Sequence, residues 1–223
     1  MTTYLSIGTV LMAAVMLWAG TERSIEKDRW KLLVSTIVLA LVGFGGAKLL
    51  YSIENGGWFG TSFYGAVFFP PLFMVLLALL LHVPPLDLLD LCAPAECVML
   101  AILKIQCAVN GCCGGILLTT TADGVYIRFP SQIAELLNAL ALMIVLLHFI
   151  HKGVWRGRIY PMYMLLYGIT RFVFNLLRDT TPFLLGLPAG NFWSLISIMI
   201  ALIWLYFAEH KKGVAKGEEK IVD

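Results

Sequence analysis

The chain has 223 residues, of which 60% are hydrophobic and only 13% are charged, and its formal net charge is +2. This apolar share lies far above that of a soluble globular domain and excludes that class. Apolar runs of membrane-spanning length recur along the chain, which predicts a polytopic integral membrane protein built as one helical bundle. The small net charge says little about function, so the positions of the charged residues along the chain are more informative.

We predict an all-α fold of about seven transmembrane helices. The predicted spans cover residues 4–19, 30–50, 61–81, 91–109, 132–151, 159–177 and 192–207. The first is interpreted as a retained span, because no basic region precedes it and no small-residue cleavage site follows it. Gly43, Gly45 and Gly46 in the second span favour close helix approach. Pro70 and Pro71 predict a kink or break in the third.

The basic residues alternate between the two ends of the predicted bundle. Those assigned to one side are Arg23, Lys27, Arg29, Lys31, Lys152, Arg156, Arg158, Lys211, Lys212, Lys216 and Lys220. The opposite side receives only Arg128 and Arg178, with Lys48 near its boundary. The positive-inside rule therefore predicts an N-terminus outside and a cytoplasmic C-terminus. Residues 1–210 then form the seven-span transmembrane domain, and residues 211–223 form a charged cytoplasmic tail.

The outer connection between the fourth and fifth spans contains Asp123-Gly124 between two β-prone runs. This pattern is typical of a hairpin, so we expect a small extracytoplasmic hairpin there, with a plain loop as the alternative.

Two arginines and an asparagine interrupt the end of the sixth span. Arg171, Asn175 and Arg178 stand at positions i, i+4 and i+7, so they share one helix face. A charge near hydrocarbon is costly unless it faces protein, water or an anion, and the anion available in a membrane is a phospholipid phosphate. The alternative is a snorkelling Arg178 and an Arg171 that is paired for structural reasons.

Glu135 near the start of the fifth span needs a cation, and Arg171 or Lys104 are the candidates. Lys104 precedes a Gly-Cys-Cys-Gly-Gly turn at residues 111–115, which can present backbone N–H groups to an anion or can be a simple exit turn with two buried cysteines. The five cysteines contain no C-x-x-C pair that would indicate zinc, and each is interpreted as a small buried apolar residue. A nucleophilic thiol at Cys112 or Cys113 would have no histidine nearby in sequence.

Four sequence blocks resemble those of the prolipoprotein diacylglyceryl transferase family, in the family's order. Residues 62–66 read Ser-Phe-Tyr-Gly-Ala and resemble Ser-Phe-His-Gly-Gly. Residues 90–94 resemble Asp-x-x-Ala-Pro, and residues 104–115 resemble the signature helix that ends in a glycine turn. Residues 128–135 resemble Arg-His-Pro-Ser-Gln-x-x-Glu, and residues 167–171 resemble Tyr-Gly-x-x-Arg.

The resemblance implies a multi-pass enzyme of the bacterial inner membrane whose site faces the outer leaflet. Such an enzyme moves diacylglyceryl from phosphatidylglycerol to the lipobox cysteine thiol of a prolipoprotein and releases glycerol phosphate. The implied partners are phosphatidylglycerol, a prolipoprotein signal peptide and membrane lipids. We expect no cofactor, no metal ion and no nucleic-acid partner.

The resemblance also implies roles for individual residues. Arg171 is expected to neutralise the departing phosphate, with help from Lys104 and Arg128, while Glu135 or Tyr64 takes part in proton transfer. The residues expected to bind substrate or phosphate are Arg128, Arg178, Asn175, Asn110, Gly115, Ser131 and Gln132.

The chain departs from the family pattern at five positions. Tyr64 and Phe129 stand where the family has histidines. Lys104 replaces an arginine, Cys107 an asparagine and Asn175 a glutamate. Two other functions are therefore weighed: the same donor with a glycan, small thiol or hydroxyl as acceptor, and a non-catalytic phospholipid-binding protein. A transporter is less favoured because no second half repeats the first.

Overall fold

A computed structural model describes residues 2–23, 29–121 and 123–219, with side chains described for those between 3 and 210. The helices are α1 (Thr2–Thr21), α2 (Arg29–Asn55), α3 (Phe63–Phe68), α4 (Pro70–Leu80), α5 (Pro85–Val109), α6 (Ser131–His151), α7 (Ile159–Leu176) and α8 (Ala189–Glu219). The strands are β1 (Leu117–Thr120), β2 (Tyr126–Arg128), β3 (Pro182–Leu184) and β4 (Leu187–Pro188).

Five helical segments of the described chain are long and apolar enough to cross a membrane. They are Thr3–Thr21, Arg29–Asn55, Phe63–Leu80, Ser131–His151 and Ala189–His210. The other two long helices, α5 with 25 residues and α7 with 18, are interrupted by charged and amide side chains. The protein is therefore a mostly helical membrane protein, as its composition predicted.

The helix boundaries follow the predicted spans with two exceptions. The third span is broken as expected, since α3 ends at Phe68 and α4 begins at Pro70. Helix α5 begins at Pro85, six residues before the predicted start at residue 91, because the acidic residues of its first turns are paired. Helix α8 begins at residue 189 and continues through Glu219, beyond the predicted domain boundary at residue 210.

Helix α5 is the centre of the bundle and packs against α1, α3, α4, α6 and α7. Every residue from Asp87 to Ala101 is buried, although the stretch includes Asp90 and Glu96. A helix that is buried on all faces needs partners for its polar groups. Glu96 accepts a hydrogen bond from the Tyr160 hydroxyl at 3.0 Å.

The α2–α3 contact depends on two glycines that face each other. A Cβ atom added at Gly65 would lie 2.0 Å from the Gly46 carbonyl oxygen, and one at Gly46 would lie 2.6 Å from the Gly65 oxygen. Close backbone approach of this kind is what small residues permit in membrane helices. It confirms the prediction for Gly46, whereas Gly45 has nothing within 4 Å of its added Cβ.

The predicted hairpin between α5 and α6 is confirmed, because β1 and β2 pair antiparallel around Asp123-Gly124. A second antiparallel pair, β3 with β4, lies between α7 and α8 and was not predicted. The first hairpin is tied to α7 by an isolated bridge between Gly115 and Arg178. The Ile116 N–H donates to the Leu177 carbonyl at 3.0 Å. Both hairpins therefore lie at the end of the bundle where α5 and α7 finish.

The other end of the bundle holds a separate set of ion pairs around the start of α5. Arg156 binds the Asp87 carboxylate at 2.8 and 2.6 Å. The Asp90 carboxylate accepts the backbone N–H groups of Gly157 at 2.6 Å and Ile159 at 2.9 Å. Several basic residues used in the topology prediction are thus neutralised locally. Two others, Lys27 and Lys220, lie outside the described residues.

Candidate active site

A cavity of about 520 Å³ opens among α1, α2, α5, α7 and the segment that leads into α8. Its polar part is lined by Glu54, Ser62, Tyr64, Lys104, Cys107, Cys113, Arg171, Asn175 and Arg178. Its apolar part is lined by Leu5, Met12, Leu39, Phe44, Met99, Leu100 and Leu103. A cavity lined by both cations and aliphatic side chains suits an amphipathic anion.

Three cations converge on one carboxylate beside this cavity. Lys104 of α5 places Nζ 2.6 Å from Glu135 Oε2. Arg171 Nη1 donates to the same Oε2 atom, and Arg178 Nη1 lies 3.3 Å from Oε1. Glu135 is in the second turn of α6, so three helices meet at this point. The sequence predicted a pair between Glu135 and one of two cations, and the structure contains both, together with Arg178.

The cluster itself carries an excess of positive charge. Three formal positive charges on Lys104, Arg171 and Arg178 face one negative charge on Glu135, which leaves an excess of two within the cluster. Glu54, Glu96 and Asp179 also line the cavity, and Asp179 pairs with Arg128. The Arg178 Nε atom is buried and has no hydrogen-bond partner. Buried cations without full compensation favour binding of an anion, and guanidinium groups are well suited to phosphate.

The arginines do not snorkel towards solvent. The Arg171 side chain is 15% exposed and that of Arg178 is 14% exposed. Arg178 lies just beyond the end of α7 at Leu176, yet it reaches the same carboxylate as Arg171. Arg171 is thus paired with Glu135, as the structural alternative predicted, and it also lines a cavity that suits an anion.

Asn175 and Tyr64 form part of the cavity wall. The Asn175 Nδ2 atom donates to Asn191 Oδ1 at 2.5 Å and holds the start of α8 against α7. The Tyr64 hydroxyl is 2.6 Å from Ser194 Oγ, and the Tyr64 ring lies 5.4 Å from that of Tyr167. Both side chains therefore fix the positions of helices around the cations.

Three further predicted site residues, Ser131, Gln132 and Arg128, organise the turn that follows α5. Ser131 Oγ donates to the Cys113 carbonyl, and Gln132 Nε2 donates to the Cys112 carbonyl, both at 2.5 Å. Arg128 Nη1 donates to the Gly115 carbonyl at 3.3 Å and pairs with Asp179 at 3.4 Å.

Two of the predicted anion-binding residues have other roles in the structure. The Gly115 N–H donates to the Phe129 carbonyl at 3.0 Å, so it is not directed at an anion. Asn110 is an exposed residue that caps α5 through its backbone N–H. Neither residue lines the cavity.

The prediction that every cysteine is buried is wrong for the turn. Cys92 and Cys97 are buried and Cys107 is half-buried, but Cys112 and Cys113 are exposed. The reason is that the turn lies beyond the packed part of α5. The Cys107, Cys112 and Cys113 sulfur atoms all lie within 4.8 Å of one another. A hydrogen bond from Cys107, aided by the nearby cations, lowers the pKa of Cys113 to about 5.

Glu54 is a cavity residue that the sequence analysis missed. It lies in the last turn of α2, and its Oε1 atom accepts a hydrogen bond from Ser62 Oγ at 2.6 Å. In the sequence Glu54 resembles an ordinary polar residue at a helix end. Ser62 belongs to the first family block, so asking which side chain bonds that serine would lead to Glu54.

Comparisons with known proteins show the family of this chain. The sequence model described as prolipoprotein diacylglyceryl transferase matches residues 3–207. The chain is 29% identical over 242 residues to phosphatidylglycerol–prolipoprotein diacylglyceryl transferase 2 of Clostridium perfringens, covering 97% of this chain and 93% of that relative. It is 24% identical over 234 residues to the phosphatidylglycerol–prolipoprotein diacylglyceryl transferase of Lactococcus lactis, covering 90% and 88%. The chain belongs to the prolipoprotein diacylglyceryl transferase family.

Proposed function

We propose that this protein transfers the diacylglyceryl group of phosphatidylglycerol to the thiol of a prolipoprotein lipobox cysteine. The observation that carries the proposal is the three-cation cluster on Glu135, which adjoins a cavity with an apolar arm. A phospholipid whose phosphate binds the cations would place its acyl chains beside the aliphatic residues of α1, α2 and α5.

The proposed topology adds α5 and α7 to the five apolar segments, which gives seven spans. The ends of α2, α5 and α7 and the starts of α6 and α8 then lie on the same side as the cation cluster. The charge pattern assigns that side to the exterior, with the C-terminus in the cytoplasm. The catalytic site therefore faces the outer leaflet of the bacterial inner membrane, where a secreted prolipoprotein and the donor lipid meet.

Arg171 is proposed to bind the phosphate and stabilise it as it departs. In the reaction the acceptor thiolate attacks the glyceryl carbon next to the phosphate oxygen, so a C–S bond forms and the C–O bond breaks. The oxygen leaves with the electron pair as part of glycerol phosphate. Developing negative charge is best stabilised by donors that are already in place, and Glu135 holds Lys104, Arg171 and Arg178 in position.

Proton transfer is proposed to involve Glu54 as well as the residues suggested by the sequence. Glu135 is engaged by three cations, which makes it a positioning residue and a poor base. The Tyr64 hydroxyl is committed to Ser194. Glu54 lines the cavity outside that cluster and accepts a hydrogen bond from Ser62 without a salt bridge to the three cations, so it is the freer carboxylate.

The proposal is tested by incubating the purified full-length protein, in lipid nanodiscs, with a lipobox peptide and phosphatidylglycerol labelled in the glyceryl carbons of its diacylglyceryl group. Labelled peptide that survives thioester and ester cleavage supports the transferase. A Cys→Ser lipobox peptide is the matched control and should remain unlabelled. Label that passes only to a glycan, small thiol or hydroxyl supports the alternative acceptor. Lipid binding without turnover of any acceptor supports the non-catalytic alternative and overturns the proposal.

A further inference from the structure

The three clustered cysteines at the outer end of α5 have no role in the reaction described above. Cys107 lies in the last turn of α5, and Cys112 and Cys113 follow in the turn. Their sulfur atoms lie within 4.8 Å of one another. Sulfur ligands about 2.3 Å from a zinc ion lie about 3.8 Å apart in tetrahedral geometry, so small side-chain adjustments bring this cluster to metal-binding distances.

The backbone around the cluster is fixed on both sides. The Cys112 N–H donates to the Cys107 carbonyl at 3.1 Å, and Ser131 and Gln132 hold the carbonyls of Cys113 and Cys112. Cys113 has a φ of 61°, a left-handed conformation that non-glycine residues seldom adopt. That conformation, held by neighbours on α6, is what brings the Cys113 sulfur back towards Cys107.

The cluster opens onto the cavity that holds the cations. Cys107 and Cys113 both line it, and Lys104 lies one helical turn before Cys107. Three thiolates around a divalent ion carry one net negative charge, which the neighbouring Lys104 and Arg178 stabilise. Among the described side chains, the cluster contains three ligands and no histidine or carboxylate as a fourth. A zinc ion held in this way keeps one coordination position open, which is typical of catalytic rather than structural sites.

We propose that Cys107, Cys112 and Cys113 bind a thiophilic divalent cation such as Zn²⁺, whose open position takes the acceptor thiol. This inference rests on the proposed function. On binding, the acceptor R–SH gives its proton to Glu54 or to water and becomes a zinc-bound thiolate. The thiolate then forms the C–S bond as glycerol phosphate leaves, and the neutral thioether, a weak ligand, dissociates.

A chemical requirement of the reaction supports this site. The thiol pKa of cysteine is ordinarily about four units above that of a glutamic acid, so a carboxylate alone deprotonates a thiol poorly. Coordination to a metal ion deprotonates a thiol outright. Spacing alone had predicted no metal, because the three cysteines become neighbours only through the turn.

The test is metal binding by the full-length protein in nanodiscs, reduced, treated with a chelator and then given Zn²⁺ or Co²⁺. We expect about one ion per chain and, with Co²⁺, the charge-transfer absorption of thiolate ligands. C107S, C112S and C113S should each weaken Zn²⁺ binding about 10- to 100-fold, whereas C92A, which removes a buried cysteine elsewhere on α5, should bind Zn²⁺ normally. Thermal unfolding of each variant checks that its fold is retained.

Activity separates this inference from the proposed function. Chelation should abolish thioether formation while lipid binding remains, and added Zn²⁺ should restore it. If the chelated protein, or a variant lacking all three cysteines, transfers diacylglyceryl at the full rate, the metal inference is wrong and the proposed function stands. A disulfide between two of the three cysteines in protein that cannot take up Zn²⁺ also overturns it. If Zn²⁺ binds but no acceptor is modified, the proposed function fails and so does the catalytic role of the ion.

Discussion

Replacing Arg171 by glutamine should abolish most of the transferase activity while leaving the fold intact. The side chain is 15% exposed and is one of three cations on Glu135. In the variant, Glu135 keeps Lys104 at 2.6 Å and Arg178 at 3.3 Å, so the carboxylate remains paired. The folding cost should therefore stay below the roughly 3–5 kcal/mol that follows when a buried charge loses its only partner.

The expected loss of activity follows from the charge that develops on the departing phosphate. Two unit charges about 4 Å apart at an effective dielectric constant of about 20 interact by about 4 kcal/mol. Removing one donor that stabilises a developing anion costs about 3–4 kcal/mol in other enzymes. Since about 1.4 kcal/mol corresponds to a tenfold change in rate, kcat/KM should fall about 100- to 1000-fold.

The assay compares initial rates of peptide labelling in nanodiscs with thermal unfolding of the same preparations. Arg171→Lys keeps the charge without the planar fork, so its activity should fall only about tenfold. Glu135→Gln is the contrasting variant, because it leaves three cations without their carboxylate, and it should lower stability by about 3–5 kcal/mol. Transfer by a folded Arg171→Gln protein within about threefold of wild type would show that Arg171 does not bind the phosphate.

Lys104→Met should lower kcat/KM about 10- to 100-fold, because a charge-assisted hydrogen bond is worth about 1.5–3 kcal/mol, and Lys104→Arg should retain activity in the same peptide assay. Tyr64→Phe removes a hydroxyl that bonds Ser194 and should lower stability by about 1 kcal/mol with kcat nearly unchanged. A fall in kcat above about 100-fold would instead identify Tyr64 as an acid or base. Gly65→Ala would force a methyl group against the α2 backbone and should destabilise the protein by about 1–3 kcal/mol in thermal unfolding. Gly45→Ala, with open space around the added methyl group, should not destabilise it. Equal effects of the two substitutions would refute the close-contact argument.

The sequence predicted the parts of this molecule that depend on hydropathy and local turn chemistry. The break at Pro70 and the hairpin at Asp123-Gly124 both follow from local rules and are confirmed. The early start of α5 was missed because two aspartates in an apolar run resemble a loop. Asp87 and Asp90 are tolerated there through Arg23, Arg156 and backbone N–H groups about 70 residues away in sequence, which local patterns do not reveal.

The site was predictable as a set of residue types but not as a set of contacts. A charged side chain within a membrane helix requires an oppositely charged partner, which pointed to a pair of Glu135 with Arg171 or Lys104. The third cation, Arg178, joins because the chain leaves α7 at Leu176 and turns back, which helical periodicity does not predict. Glu54 enters the cavity through a hydrogen bond to Ser62, and this pairing depends on how α2 and α3 pack.

The bridge between Gly115 and Arg178 connects a surface hairpin to the cation cluster. The segment that carries Gly115 continues into the β1–β2 hairpin, whose residues are exposed at the end of the bundle that holds the cation cluster. A peptide that docks against this hairpin would pull on the same backbone that positions the Arg178 guanidinium. A peptide bound there would therefore shift one of the three cations on Glu135.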